Sequence, residues 1–218
     1  MITTIGELAQ ANIDMLYWLL GKNGVTLHRF ANGQDHSGVR RYYAVPPMKS
    51  IGNSTTAPRD LVSEDDVKIT LMALCESVGA RLWEQNCLCS TVAVGIWDNR
   101  LLSSDRQTKL PRPTANTLDI WDAVVEIFKQ HHVSGAPVRS LSVKASGLAP
   151  AVEMERMSLF PEEQKAQRRA MIDQVLDKLR RKYGRFCIRR GITLLDSSLD
   201  LDARGEHIIH PVGFLEIL

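Results

Sequence analysis

The chain has 218 residues, of which 44% are hydrophobic and 24% are charged, with a formal net charge of +2. This composition is that of a globular protein with one domain plus additions or two small domains, and it excludes a disordered or strongly basic chain. The four cysteines match neither a disulfide framework nor a paired zinc motif, and the sequence shows neither a signal peptide nor an apolar run that could span a membrane, so we expect a cytoplasmic protein without a membrane partner.

The first predicted elements are helices. Apolar residues recur at roughly helical spacing through residues 5–31, and Gly21 and Gly24 interrupt them. A second short helix, around residues 25–32, is expected to end at Gly33, because glycine suits the position after a helix. Residues 36–47 are predicted to form an extended linker, since they are polar and basic and close on two prolines.

Residues 48–148 are predicted to alternate between strand and helix. Strands are expected at residues 48–57, 88–96, 101–111 and 139–145. The first helix follows a capping box formed by Ser63 and Asp66, and the second is capped by Thr114 or Asn116. The apolar stripes of the two helices are Val67, Leu71, Leu74, Val78 and Leu82, and Leu118, Trp121, Val125 and Phe128. This β-α-β-β-α-β order predicts an α+β, ferredoxin-like fold, with two helices on one face of a four-stranded antiparallel sheet and the other face free.

The charges of this segment are unevenly distributed. The predicted strands and turns hold eight basic residues against two acids, whereas the helices hold three basic residues against nine acids. The eight are Lys49, Arg59, Arg100, Arg106, Lys109, Arg112, Arg139 and Lys144. The free sheet face is therefore predicted to be basic and suited to a phosphate backbone, and a merely solvated face is the alternative. Apart from Trp97 the face lacks aromatic residues, which disfavours stacking on single-stranded nucleic acid.

Several stretches resemble the Y-family translesion DNA polymerases. Residues 49–56, Lys-Ser-Ile-Gly-Asn-Ser-Thr-Thr, and residues 58–61, Pro-Arg-Asp-Leu, resemble the opening of the little finger domain of that family. Residues 4–9 and 19–24 resemble its thumb. The resemblance covers roughly residues 3–148 and is to the C-terminal region of bacterial DinB/UmuC-like members, the ImpB/MucB/SamB family. It implies a helical thumb remnant at residues 1–35 and a little finger at residues 48–148.

The resemblance implies DNA binding in translesion synthesis, DNA repair and the SOS response. The little finger of the family lays its sheet face along primer–template duplex DNA. The residues expected to contact DNA are Lys49, Ser50, Thr55, Arg106, Thr108, Lys109, Arg139 and Lys144, with Lys22 as a weaker candidate. The palm carboxylates that hold two metal ions in the family have no counterpart here. We therefore expect no catalytic residue, metal site or cofactor in this chain, with Mg²⁺ belonging only to the missing palm, and no polymerase activity from this chain alone.

Residues 149–160 are predicted to be a tether. Its last five residues, Arg156, Met157, Ser158, Leu159 and Phe160, resemble the peptide with which bacterial replication proteins bind the sliding clamp. Leu159 and Phe160 would fill an apolar pocket as anchors, and Arg156 stands where glutamine is usual. The alternative is a hydrophobic staple beside the helix that starts at Pro161.

Residues 161–218 are predicted to be a basic helix with a C-terminal extension. Residues 161–190 hold ten basic residues against four acids. Met171, Val175, Leu179 and Tyr183 suggest an apolar stripe, and Gly184 suits the end of the helix. A second DNA-contacting or partner-binding element and a docked amphipathic helix are equally supported.

Two other functions fit the sequence. One is a stand-alone DNA-binding or clamp-binding regulatory module, encoded by a truncated gene and acting with a separate catalytic chain. The other is an RNA-binding ferredoxin-like protein. Preference for primer–template duplex over single-stranded RNA would separate the DNA-binding functions from the RNA-binding one.

Overall fold

The computed structural model describes residues 2–39, 41, 48–132, 136–151 and 161–201, and for residues 161–163, 165 and 166 it describes the backbone only. The chain divides into two compact units, Met1–Pro47 and Met48–Leu218. Most of the predicted linker and tether, and residues 202–218, lie outside the described residues.

The first unit consists of three short helices, α1 (Ile5–Gln10), α2 (Ile13–Leu20) and α3 (Lys22–Ala31). The helical prediction for residues 5–31 is confirmed, although the last helix begins at Lys22 and not near residue 25. Gly24 packs directly against the backbone of Leu16, so closely that a Cβ atom there would overlap the Leu16 carbonyl group. Glycine at this position therefore allows α2 and α3 to touch. Gly33 follows α3 with a φ of 72°, the left-handed conformation expected after a helix.

The second unit contains the predicted β-α-β-β-α-β order. Its elements are β1 (Ser50–Leu61), α4 (Glu64–Glu84), β2 (Cys87–Asp98), β3 (Ser103–Thr114), α5 (Thr117–His131) and β4 (Val138–Pro150). The strands are ordered β1-β4-β2-β3, and every neighbouring pair is antiparallel. The prediction of an α+β, ferredoxin-like fold with a four-stranded antiparallel sheet is confirmed.

Helix α4 forms where its cap and its apolar spacing predicted. The Ser63 hydroxyl accepts a hydrogen bond from the Asp66 amide, and the Asp66 carboxylate accepts one from the Ser63 amide, so the capping box is complete. The five residues of the predicted stripe are each at most 2% exposed. They pack in one core with the buried side chains of β1, β2 and β4.

Helix α5 is capped by Asn116, whose side chain accepts hydrogen bonds from the amides of Leu118 and Asp119. Its predicted stripe is only half correct. Val125 and Phe128 are buried, but the half-buried Leu118 and Trp121 lie at the edge of the core. The buried side of the helix also includes Ile120, Val124 and Ile127. These three residues repeat at the same helical spacing as the predicted stripe but are rotated about the helix axis. Packing of α5 against α4 determines which side is buried.

The extension begins with α6 (Pro161–Tyr183) and continues through two short 3₁₀ turns, Arg185–Cys187 and Gly191–Leu194. Gly184 ends α6 with a φ of 90°, as expected. The predicted apolar stripe does not face the domain, because Met171, Val175 and Tyr183 are each more than half exposed. The helix packs on α4 with a charged side, where Arg180 pairs with Glu76.

Candidate nucleic-acid interface

The two faces of the sheet are defined by strand register. Side chains that pair across neighbouring strands share a face. The covered face carries the buried residues Ile51, Ala57, Val92, Val94, Ile96, Leu141, Val143 and Ala145, which pack with α4 and α5. The opposite face, here called the open face, carries Ser50, Gly52, Ser54, Thr56, Thr91, Ala93, Gly95, Trp97, Ser103, Asp105, Gln107, Lys109, Ser140, Ser142, Lys144 and Ser146.

The open face is rich in hydroxyl groups and small side chains. The hydroxyls of Thr56 and Ser140 lie 2.9 Å apart and share a hydrogen bond. A Cβ atom on Gly95 would lie 2.6 Å from Asp105 Oδ1 and 3.0 Å from Trp97, and would also clash with the Ser142 hydroxyl. Because these residues are small, their side chains project little from the sheet, and a ligand can approach the strand backbones closely.

Three of the predicted contact residues share the open face. Lys109 pairs with Thr91, which pairs with Ser146, and Ser146 pairs in turn with Ser50. Lys144 pairs with Gly52 on one side and with Ala93 on the other. Ser50, Lys109 and Lys144 therefore lie on one surface, and both lysines are exposed.

Three other predicted residues lie on the covered side, which corrects the expectation of a single common face. Thr55 pairs with Leu141, Arg106 with Val94, and Thr108 with Val92, and these three partners are buried in the core. Arg106 and Thr108 are nonetheless exposed, because β3 is an edge strand. Whether these residues contact DNA stays a prediction.

The remaining predicted residues lie outside the regular ladder. Lys49 is exposed just before β1, and Lys22 is exposed at the start of α3 in the first unit. Arg139 lies where the register of β4 shifts, and its guanidinium donates to the Ala57 carbonyl oxygen at 3.1 Å and lies 3.8 Å from Asp60. The clamp-like peptide at residues 156–160 lies outside the described residues.

The open face is less basic than the sequence suggested. Of the eight basic residues in strands and turns, only Lys109 and Lys144 project from strands on this face. The acidic residue Asp105 shares the face with them. Arg59 and Arg112 are paired with carboxylates of the helices, Asp66 and Asp119. Charge segregation by element overestimated the basic character of the face, because long arginine side chains reach around strand ends and edges to the helix side.

The basic side of the extension is largely used within the protein. Glu76 on α4 is 4% exposed and accepts hydrogen bonds from Arg180 at 2.8 Å and Arg190 at 2.9 Å. Asp173 on α6 accepts hydrogen bonds from Arg190 at 2.7 Å and from the Thr117 amide at 2.8 Å. Arg169, Arg181, Arg185 and Arg189 also form ion pairs. These contacts favour the docked-helix interpretation over a second DNA-contacting element.

One further ion pair links three parts of the unit. Arg59, in β1, makes two hydrogen bonds to Asp66 at 2.8 and 2.9 Å and one to Asp196 at 2.8 Å. The Arg59 guanidinium, together with the amides of Val62 and Ser63, holds the pKa of Asp66 well below its usual range. The strand, the start of α4 and the extension are thus joined at one arginine.

Two of the cysteines, Cys75 and Cys89, are buried in the core. Burial raises the pKa of the Cys89 thiol to about 12 and also raises the pKa of the Cys75 thiol, as for inert core thiols. Within the described ranges, no three His, Cys, Asp or Glu side chains are close enough to hold a metal ion. No helix in the same part of the chain is long and apolar enough to cross a membrane.

The list of predicted contact residues left out most of the hydroxyl groups on the open face. Ser54 and Thr56 in β1, and Ser140 and Ser142 in β4, lie beside the predicted Lys144. The available signal was the alternation of strand residues. Ile51 is the strongly apolar residue at the start of β1, and counting by two from it places Thr55 on the covered face and Ser54 and Thr56 on the open one.

Comparison with known families identifies the second unit. Residues 48–159, just over half of the chain, match the impB/mucB/samB family C-terminal domain. The chain belongs to this family. The match begins at Met48, where the second compact unit also begins.

Similar proteins extend the comparison across most of the chain. DNA polymerase IV of Acetivibrio thermocellus is 39% identical over 199 residues, which are 91% of this chain and 50% of that protein. DNA polymerase IV of Clostridium acetobutylicum is 33% identical over 88% of this chain and 48% of its own length. The putative UV-damage repair protein UvrX of Bacillus subtilis is 30% identical over 94% of this chain and 49% of its own length. The chain thus spans about half the length of these relatives.

A solved structure supports the fold. A Y-family DNA polymerase chimera superimposes with a TM-score of 0.51 over 68% of this chain and 42% of the chimera, at 16% sequence identity. At this identity the likeness concerns the fold alone. Together with the family match and the similar proteins, it confirms the resemblance to the C-terminal region of Y-family polymerases.

Proposed function

We propose that this chain is the DNA-binding portion of a Y-family DNA polymerase that acts in translesion synthesis and DNA repair, and that it grips primer–template duplex through the open face. The observation that carries the proposal is the open face itself, a sheet surface of hydroxyl groups and glycines with two exposed lysines that no described helix of the second unit covers. Family membership and the names of the relatives, DNA polymerase IV and a UV-damage repair protein, agree with it.

The chemistry of the open face suits backbone contacts and not base reading. Hydroxyl groups and backbone amides donate hydrogen bonds to phosphate oxygens, and lysines neutralise phosphate charge. Such contacts position a duplex without sequence preference, which a polymerase requires. Because only Lys109 and Lys144 project from strands on this face, the salt dependence is expected to be shallow, with a slope of log affinity against log salt of about −2.

The test is binding of the chain to labelled primer–template duplex across a salt series. Lys144→Ala and Lys109→Ala should each weaken binding for all sequences and reduce the magnitude of the salt slope by about 0.9. Arg112→Ala is the matched control, because it removes the same charge from a residue that is paired with Asp119 on the helix side. Equal losses in all three variants would point to general charge and overturn the open-face assignment.

A second arm of the experiment uses single-stranded RNA. Trp97 is the aromatic residue that the strands place on the open face, so stacking of successive bases has little support there. We therefore expect unlabelled duplex DNA to displace bound RNA, and unlabelled RNA to displace bound duplex poorly. Tighter binding of the RNA would favour an RNA-binding protein. A sliding clamp partner for residues 156–160 is a separate proposal, carried by the sequence of that peptide alone.

A further inference from the structure

Helix α6 buries its charged side and exposes its apolar side. On the side that contacts α4 and the start of α5, Asp173 is buried and Arg180 is half-buried, and both form ion pairs. On the other side, Met171 is 61% exposed and Val175 is 55% exposed. This is the reverse of an ordinary surface helix, whose apolar stripe faces the core.

The exposed side of α6 also carries a single sign of charge. At 100° per residue, Arg168, Met171, Val175, Lys178 and Lys182 fall within an arc of about 80°, here called the outer side, and each is exposed. The acids Asp173 and Asp177 point away from this arc, towards Arg190 and Arg181. Among the side chains described for α6, at 164 and 167–183, the outer side therefore holds cations and no anion.

The docked orientation of α6 makes this surface rigid. The contacts of Arg180 and Asp173 fix the rotation of the helix about its axis, so the outer side cannot turn inward without breaking ion pairs to the buried Glu76 and to Asp173. A surface already held in one orientation loses little conformational entropy when a partner binds.

We propose that the outer side of α6 docks an acidic amphipathic helix of another protein. Met171 and Val175 would contact the apolar stripe of such a helix, and the flanking Arg168, Lys178 and Lys182 would meet its carboxylates. A DNA backbone would leave Met171 and Val175 without an apolar contact. Ile172 and Tyr183, which are also exposed, border the outer side, so an anionic membrane surface is the competing ligand that the vesicle titration below tests.

This surface is independent of the proposed DNA grip. Helix α6 packs on α4, and α4 covers the face of the sheet opposite the open face. A partner on the outer side of α6 and a duplex on the open face can therefore be held at the same time. The partner-binding surface consequently goes beyond the proposed function.

The test is fluorescence anisotropy with the whole chain and a labelled synthetic peptide that carries leucine at heptad a and d positions and glutamate elsewhere. A scrambled peptide of the same composition is the comparison. We expect the amphipathic peptide to bind in preference to the scrambled one, and Val175→Glu or Met171→Glu to weaken its binding about tenfold or more. Gln85→Glu, at an exposed position just after α4, adds the same charge away from the outer side and should change nothing.

Parallel titrations with anionic phosphatidylglycerol vesicles and with duplex DNA define the outcomes that overturn the proposal. It fails if the scrambled peptide binds equally, if Val175→Glu has no effect, or if vesicles or duplex depend on Val175 more than the peptide does. Thermal unfolding of Val175→Glu and Met171→Glu should match that of the parent chain, because both side chains are exposed. The effect of Lys144→Ala on duplex binding is a separate readout of the DNA grip.

Discussion

The two sides of helix α4 are buried by different chemistry. Towards the sheet, Leu71, Leu74 and Val78 are completely buried in an apolar core. Towards the extension, α4 presents Glu76, which is nearly as buried but is contacted by the guanidinium groups of Arg180 and Arg190. One helix is thus held on one side by non-directional apolar packing and on the other by directional ion pairs.

This difference separates what stabilises the unit from what orients its parts. Each fully buried leucine contributes about 1.5–3 kcal/mol by removal of apolar surface from water. A buried ion pair roughly balances its desolvation cost, but loss of one partner is strongly destabilising because a charge is left unpaired. The core therefore supplies stability, and the ion pairs fix where the extension docks.

The largest effect on stability is expected from a substitution on the apolar side of α4. Leu71→Ala should lower the free energy of unfolding by about 2–5 kcal/mol, because the side chain is fully buried and leaves a cavity. Urea denaturation followed by circular dichroism measures the change. Leu194→Ala is the matched control, since Leu194 is 63% exposed and its truncation should cost less than about 0.5 kcal/mol.

Hydrogen exchange gives this experiment a second readout. Because Leu71 belongs to the common core, amides of β2 and β4 as well as those of α4 should exchange faster in Leu71→Ala. Acceleration confined to α4 would contradict the interpretation of a single cooperative core.

A substitution on the side of α4 that forms ion pairs should have a smaller and local effect on stability. Glu76→Gln keeps the side-chain shape but removes the charge that Arg180 and Arg190 share. We expect the free energy for opening of the extension to fall by about 3 kcal/mol, because the half-buried Arg180 loses its counter-charge and Arg190 keeps only Asp173. Hydrogen exchange of α6 should accelerate while that of β2 and β4 is unchanged.

An exposed arginine on α6, next to Arg180, is the matched control for Glu76→Gln. Arg181 pairs with Glu84 and Asp177, but its side chain is 50% exposed, so Arg181→Ala should cost about 0.5 kcal/mol or less. If Arg181→Ala opened the extension as much as Glu76→Gln, docking would depend on total charge and not on the buried pairs.

The same contrast explains how far the sequence predicted the fold. Apolar periodicity is a local signal, and it predicted the stripe of α4 from Val67 to Leu82 and the strands β2 and β4. The docking side of α6 depends on residues far apart in sequence, such as Glu76 with Arg190, and no local pattern reports such a pair. The apolar spacing of Met171 and Val175 therefore predicted the helix but not which side of it docks.

The candidate interface shows a similar limit. The free sheet face and the place of Lys144 on it followed from alternation within β4, where Ser140, Ser142 and Lys144 share a side. The sides of Arg106 and Thr108 depend on the register between β2 and β3, which the sequence of β3 alone does not define, because it lacks an apolar alternation.

The smallest effect is expected at Asp66, where the core helix, β1 and the extension meet through Arg59. Since the pKa of Asp66 is lowered in the folded state, its charge stabilises the fold above its unfolded pKa of about 3.9, and this contribution is lost as pH falls below that value. Asp66→Asn should therefore be less stable than the parent chain by a constant amount between about pH 5 and 7, and the gap should narrow below about pH 4.

Thermal unfolding of the parent chain and of Asp66→Asn at several pH values measures this gap. Asp196 also has a lowered pKa, caused first by its hydrogen bonds to Ser198 and then by Arg59, so the absolute stability of both proteins will fall with acid. Only the difference between them isolates Asp66. A gap that stays constant down to pH 3 would mean that the pair with Arg59 orients the strand and the helix without stabilising them, as a partly exposed ion pair can.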